Sequence, residues 1–126
     1  MDHEALTQTI IGCAMKVHRT LGPGFLELVY QRALVHELKK AGLAAECERK
    51  LAVVYDGVVI GEFAADLIVE GIVLIENKSV VQLTRAHEVQ IVNYLTATGL
   101  KIGLLLNFGS DRLQFKRKYR DYRQDG

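Results

Sequence analysis

The chain has 126 residues, 49% hydrophobic and 25% charged, which suits one globular domain, leaves little room for a second and excludes wholesale disorder. A formal net charge of +1 gives no overall electrostatic case for nucleic acid, so any such case must rest on where the charges lie. No apolar run approaches the ~18 residues of a membrane span, and the polar, acidic start Met1-Asp2-His3-Glu4 is unlike a signal peptide.

Cys13 and Cys47 lack CxxC spacing, which excludes a zinc site or a disulfide framework and points to reduced thiols in the cytosol. In chain order, Leu6, Ile10, Ala14, Val17 and Leu21 step by three and four and predict a helix over residues 4–20. Leu21-Gly22-Pro23-Gly24 breaks it. A second helix is predicted over 25–40, with Leu26, Val29, Tyr30, Ala33, Leu34 and Leu38 as its apolar positions and Gly42 marking its end. Residues 51–55 are β-rich and end at Asp56-Gly57, a two-residue hairpin signal. Strands over 58–69 and 72–78 follow, turning at Glu70-Gly71, and both are apolar on two faces, as in the middle of a covered sheet. A helix is predicted over 84–98, between an N-capping Thr84 and Gly99, with Val89, Val92 and Leu95 available to the core. A nearly all-apolar strand over 101–107 comes next, then an edge strand over 113–119. The order is α-α-β-β-β-α-β-(β), one α/β domain over 1–126 with a basic segment, 112–126. Arg112, Lys116, Arg117, Lys118, Arg120 and Arg123 stand there against Asp121, so this end either meets phosphates or is a solvated terminus.

Asp66, Glu76 and Lys78 differ from the other charged residues because they lie at the ends of apolar runs expected to be buried. Burying an unpartnered carboxylate costs several kcal/mol, and a second one nearby raises that cost unless a cation sits between them. Glu76 and Lys78, two apart, share a strand face. Asp66 joins them only if the hairpin pairs even with even positions. A three-residue loop at 69–71, with Gly71 in the left-handed conformation, does this and makes the carboxylates diagonal neighbours; a two-residue loop would separate them. Hard oxygen ligands suit magnesium or manganese, not zinc, and a lysine beside such an ion can orient or activate water or stabilise charge on phosphate. The alternative is a buried ion-pair network among the three side chains.

Asp66, then Glu76-Asn77-Lys78 ten residues on, in strand–turn–strand followed by a helix, resembles the PD-(D/E)XK nuclease core. Gly24-Phe25-Leu26-Glu27-Leu28-Val29-Tyr30 matches the GxxExxY run that names a bacterial family of this superfamily, and Gln90-Ile91-Val92-Asn93-Tyr94 matches the QxxxY motif of RecB-like nucleases. The resemblance extends through Gly22-Pro23-Gly24, His87-Glu88-Val89-Gln90, Thr98-Gly99-Leu100 and Leu106-Asn107-Phe108-Gly109, roughly residues 8–115. It implies a restriction-endonuclease-like fold, with a central mixed sheet of four to five strands flanked by helices. It also implies a nuclease using Mg2+ or Mn2+, with DNA the favoured substrate. Asp66, Glu76 and Glu27 would bind the metal, Lys78 would act on water or phosphate, and Gln90, Tyr94, Tyr30 and Arg85 would contact substrate. Lys50 and Arg49 are further candidates for phosphate contact. His87, Gln90 and Tyr94, spaced three and four, form one helical stripe, although His87 also reads as a residue of the helix start.

The chain departs from the usual pattern at Asn77, where an apolar residue is expected, and Asn77 must find a partner on the far face of its strand. Ala64-Ala65 before Asp66 offers no basic residue for a phosphate. Three functions compete: a nuclease, which would gain grip as a homodimer; a non-catalytic nucleic-acid- or protein-binding module on the same fold; and a structural or interaction protein in which Asp66, Glu76 and Lys78 form only an ion-pair network.

Overall fold

The two apolar runs around Ile68 and Leu74 and the run Leu104-Leu105-Leu106 become the centre of one mixed sheet. In the computed structural model, which describes residues 2–120, the elements are α1 (His3–Leu21), α2 (Glu27–Lys40), β1 (Ala45–Tyr55), β2 (Val58–Val69), β3 (Val73–Lys78), α3 (Arg85–Thr98), β4 (Ile102–Asn107) and β5 (Gln114–Tyr119). The strands lie in the order β1-β2-β3-β4-β5. All neighbours are antiparallel except β3 and β4, which run parallel and are joined through α3. This is the expected restriction-endonuclease-like arrangement.

Helices cover both faces of the centre. The α1 stripe Leu6, Ile10, Ala14 and Val17 is buried as predicted, against Leu34 and Leu38 of α2 and against Leu67, Val69, Val73, Ile75, Leu104 and Leu106 of the sheet. Across the sheet, Ile91 and Leu95 of α3 pack on Ile68, Leu74 and Leu105. Here α3 approaches β4 so closely that a Cβ on Gly103 would stand 2.9 Å from Ile91 Cδ1. The core face of α3 is therefore Ile91 and Leu95, whereas Val89, expected inside, is exposed.

Three boundaries moved for physical reasons. Leu26 is extended and caps α2 instead of joining it, and Leu26 and Val29, expected on the apolar stripe, face solvent. β1 begins at Ala45, well before the predicted 51, because Glu46 to Lys50 forms a charged strand open to water that carries no burial signal. The β2–β3 loop is residues 70–72, not 69–71: Val69 pairs with Val73, and Glu70 and Gly71 take the left-handed conformation at φ 56° and 65°. The Asp56-Gly57 hairpin is as expected, with Tyr55 opposite Val58.

The basic end is largely spent on structure. Lys118 pairs with Glu88 at 3.0 Å, Arg117 Nε donates to Thr7 Oγ1 and Arg120 donates to the Gly99 carbonyl. Arg112 and Lys116 remain exposed, and Asp121 and Arg123 lie outside the described residues.

Candidate active site

The register of β2 and β3 pairs even with even positions, the condition for bringing the carboxylates together. Continued one residue beyond Leu67 and Ile75, it sets Asp66 opposite Glu76, directly instead of diagonally. The Asp66 carboxylate reaches across to β3, where its Oδ2 accepts the Asn77 N–H at 2.7 Å. The inward alternation changes step at this point. Phe63 and Ala65 pack toward α3 and so does Ile68, whereas Leu67 packs on the α1–α2 side. Opposite Asp66, Glu48 of β1 takes the left-handed conformation at φ 52° and interrupts the paired register. Such a local distortion re-aims a side chain next to it.

Glu76 is 7% exposed, and its Oε1 has no hydrogen-bond partner. Burial, then the neighbouring Asp66 charge, pushes its carboxyl up to about 8, with Lys78 acting the other way. Burial also raises Asp66, against the Asn77 N–H and Lys78; the charges of Glu27 and Glu48 add to the rise. Lys78 thus lies within electrostatic reach of both carboxylates, yet the salt bridges among the described residues all lie elsewhere. The ion-pair network offered as the alternative is not formed. What the arrangement holds instead is a buried oxygen with no counterpart.

Glu27 acts electrostatically on both carboxylates, and a chain of short contacts holds the loop before it. Tyr30 is fully buried, stacked on Phe108 with ring centroids 4.7 Å apart. Its hydroxyl donates to the Gly22 carbonyl at 2.6 Å and accepts the Phe25 N–H at 3.0 Å, which folds the 22–26 loop onto the start of α2. Ser79, next after Lys78, donates its hydroxyl to the Phe25 carbonyl at 2.8 Å. The loop that leads into Glu27 is therefore tied to the residue after β3. Tyr30, expected among the substrate contacts, is corrected by this placement: ring and hydroxyl are both consumed in the fold.

Asn107, to which the sequence reading gave no role, holds the loop after β3 from the other side. Its Oδ1 accepts from Val80 N and Gly109 N, each at 3.0 Å, and its Nδ2 donates to Val80 O and Gln114 Oε1. A lone amide closing an otherwise apolar strand was the available signal. Gly109 fits this contact because a Cβ there would stand 2.4 Å from Val80 backbone atoms.

On α3, Arg85, Gln90 and Tyr94 line one hollow of about 500 Å³. Tyr94 stacks on Phe63 at 3.8 Å and 11°, and burial raises its hydroxyl pKa, with further pushes from Glu76 and Asp66. The stripe thus adjoins the carboxylates. His87 is different: its Nδ1 accepts the Thr84 N–H at 3.1 Å, closing a capping box. Arg49 sits beside Glu46 on β1 and Lys50 is exposed on the same strand. A hollow of about 960 Å³ between α3 and β5 contains the Glu88–Lys118 pair and none of Asp66, Glu76 and Lys78.

Among the described residues, no three of His, Cys, Asp and Glu form a ready-made metal cage. The donor chemistry nevertheless fits a hard divalent cation: two facing carboxylates both raised by burial, Glu76 also by the Asp66 charge, and Glu76 with an unmet buried oxygen. Asn77 is 1% exposed with both amide atoms unpartnered. The partner expected for it is absent among the described residues, and the strand is as buried as first supposed.

A family model described as PD-(D/E)XK nuclease superfamily matches residues 4–118. The solved structure titled "Crystal structure of SSO0001" is similar to this chain with a TM-score of 0.58 at 21% identity, over 77% of this chain and 52% of that one. The chain thus spans about half the length of that protein, and the likeness concerns the fold. No curated protein matches significantly.

Proposed function

The chain belongs to the PD-(D/E)XK nuclease superfamily, and on that premise we propose that it is a divalent-metal-dependent nuclease hydrolysing phosphodiester bonds of nucleic acid, DNA in preference. The observation that carries this reading is the Glu76 carboxylate, buried opposite Asp66 with Oε1 unpartnered. Asp66 and Glu76 hold Mg2+ or Mn2+, with Glu27 completing the set from α2. When bound, the cation supplies Lewis acidity toward a phosphoryl oxygen and toward the attacking water.

The remaining work belongs to the chain's own side chains. Lys78, unpaired with either carboxylate among the described residues, orients the water and meets charge developing on the phosphate. The Asn77 N–H fixes the Asp66 carboxylate at 2.7 Å, so that its second oxygen is presented in a set direction. Gln90, Tyr94 and Arg85 contact the strand from α3, Arg85 through phosphate. The run Gly24–Tyr30 supports membership of the GxxExxY group, and we assign its action to the cytosol, as a homodimer.

The test is a nuclease assay on single- and double-stranded DNA with Mn2+, Mg2+ and chelator, alongside thermal melts. Cutting that needs the metal and is lost in Glu76→Gln supports the reading. Metal-induced stabilisation without any cutting would mark a binding module on a nuclease fold instead.

A further inference from the structure

Beside the carboxylates, on the side away from α3, the chain exposes apolar side chains that the proposed chemistry does not use. Leu26 is 81% exposed, Val81 88% and Phe25 47%. With Leu28, Glu27 and Ser79 they line a hollow of about 610 Å³ between the start of α2 and the loop after β3. Among the described residues, no lysine or arginine lines it. Neither wall is loose: the Tyr30 and Ser79 hydroxyls hold one and the Asn107 amide holds the other.

Resting on the nuclease reading, we infer that this hollow receives an unpaired nucleobase of the strand whose phosphate lies at the carboxylates, so that the substrate is single-stranded nucleic acid or a nucleotide displaced from a duplex. Continuity with the site is the first reason. Glu27 lines the hollow and also acts electrostatically on Asp66 and Glu76, and Ser79 follows Lys78 directly. A phosphate at the carboxylates therefore leaves its neighbouring nucleoside at this mouth. The second reason is the lining itself. An intact duplex is gripped through rows of cations on its phosphates, and here stand aliphatic and aromatic surfaces with one carboxylate. Those surfaces suit the face of a base, which stacks or packs irrespective of sequence. A base inside a duplex cannot present that face. Selectivity for unpaired nucleotides follows without any base-reading hydrogen bond.

The experiment uses the full chain with Mn2+ and one oligonucleotide sequence in three forms: single-stranded, blunt duplex, and single-stranded with one abasic nucleotide moved along the strand. Single strands should be cut at least about tenfold faster than duplex. One abasic position beside the cut should lower kcat/KM by about ten- to a hundredfold, the range a lost base contact spans. In the double variant Leu26→Ser, Val81→Ser, the loss should fall on KM rather than kcat. Equal cutting of single strand and duplex, no abasic-sensitive position, or a variant with unchanged KM overturns the inference while the nuclease reading survives. Should the wild type cut no nucleic acid, the nuclease reading fails separately. Fluorescence anisotropy then decides: single-strand binding weakened by the double variant keeps the hollow as a base site, and binding that is absent or insensitive to it overturns the inference.

Discussion

Glu76 should make the metal-free protein less stable as pH rises through neutrality, opposite to the behaviour of a salt-bridged carboxylate. Its carboxyl moves from an ordinary 4.5 to about 8 on folding, so the folded state binds the extra proton between those two values. Below 4.5 both folded and unfolded chains are protonated at this group and it costs nothing. Each pH unit above that removes about 1.4 kcal/mol, giving about 3 kcal/mol by pH 7 and about 5 kcal/mol above pH 8, as orders of magnitude. Asp66, also raised, acts with the same sign. Urea melts with chelator at pH 5, 6, 7 and 8 read this directly. Glu76→Gln should stabilise the metal-free protein by about 2 kcal/mol at pH 8 and by little at pH 5, its own unmet amide donors taking back part of the gain. Saturating Mn2+ should raise the wild-type melting temperature at pH 8, and the variant should show no such rise. Wild-type stability that is flat from pH 5 to 8, or a Gln variant that is less stable at both ends, would refute the account of a strained, cation-seeking carboxylate.

Lys78→Met should lower cutting by at least about a hundredfold, the scale of one electrostatic contributor to phosphoryl chemistry, while leaving the Mn2+-induced thermal shift in place. Asn77→Val, which removes two buried unpartnered amide atoms, should raise stability by about 1–3 kcal/mol in a denaturant melt. Tyr30→Phe breaks the hydroxyl contacts to Gly22 and Phe25 and should cost about 1–3 kcal/mol. Gly109→Ala drives a methyl group into the Val80 backbone and should cost about 3 kcal/mol by the same melt, with nuclease activity falling as the 79–83 loop shifts.

Much of this was legible because apolar patterning is read at the centre of the sheet, where burial is complete. Asp66, Glu76 and Lys78 stood out as charges on runs such as Leu67-Ile68-Val69 that could only be interior, and those runs are interior. The capping residues Thr84 and Gly99 and the hairpin Asp56-Gly57 act locally and were equally plain. The first half of β1 was not, because water on both faces erases the alternation that marks a strand. Tyr30 misled for a different reason. A tyrosine is amphipathic, and only the tertiary structure says whether its hydroxyl meets a ligand or, as here, a loop carbonyl. Asn107 is the converse, a polar residue in an apolar strand, three of whose four contacts come from Gln114, 7 residues away, and Val80, 27 away in sequence.

The arrangement at Asp66 explains why the carboxylate pair could be anticipated but its geometry could not. Strand alternation alone requires 66 and 68 to share a face and 65 to oppose them, yet Ala65 and Ile68 both pack toward α3. One strand cannot satisfy both unless its alternation slips, and the slip falls opposite Glu48, whose left-handed backbone is uncommon for a residue with a side chain. Glycine at 48 would adopt that φ with less strain, and the Asp66 carboxylate opposite it accepts the Asn77 N–H. Glu48→Gly should accordingly keep or raise stability, since strain is relieved and a charge that raises Asp66 is removed. If Glu48 serves only as a bulge, cutting should survive in Glu48→Gly and the Mn2+ shift should persist. Loss of the shift with the fold intact would instead count Glu48 among the groups that hold the cation, a fourth carboxylate supplied by the strand that the apolar pattern could not reveal.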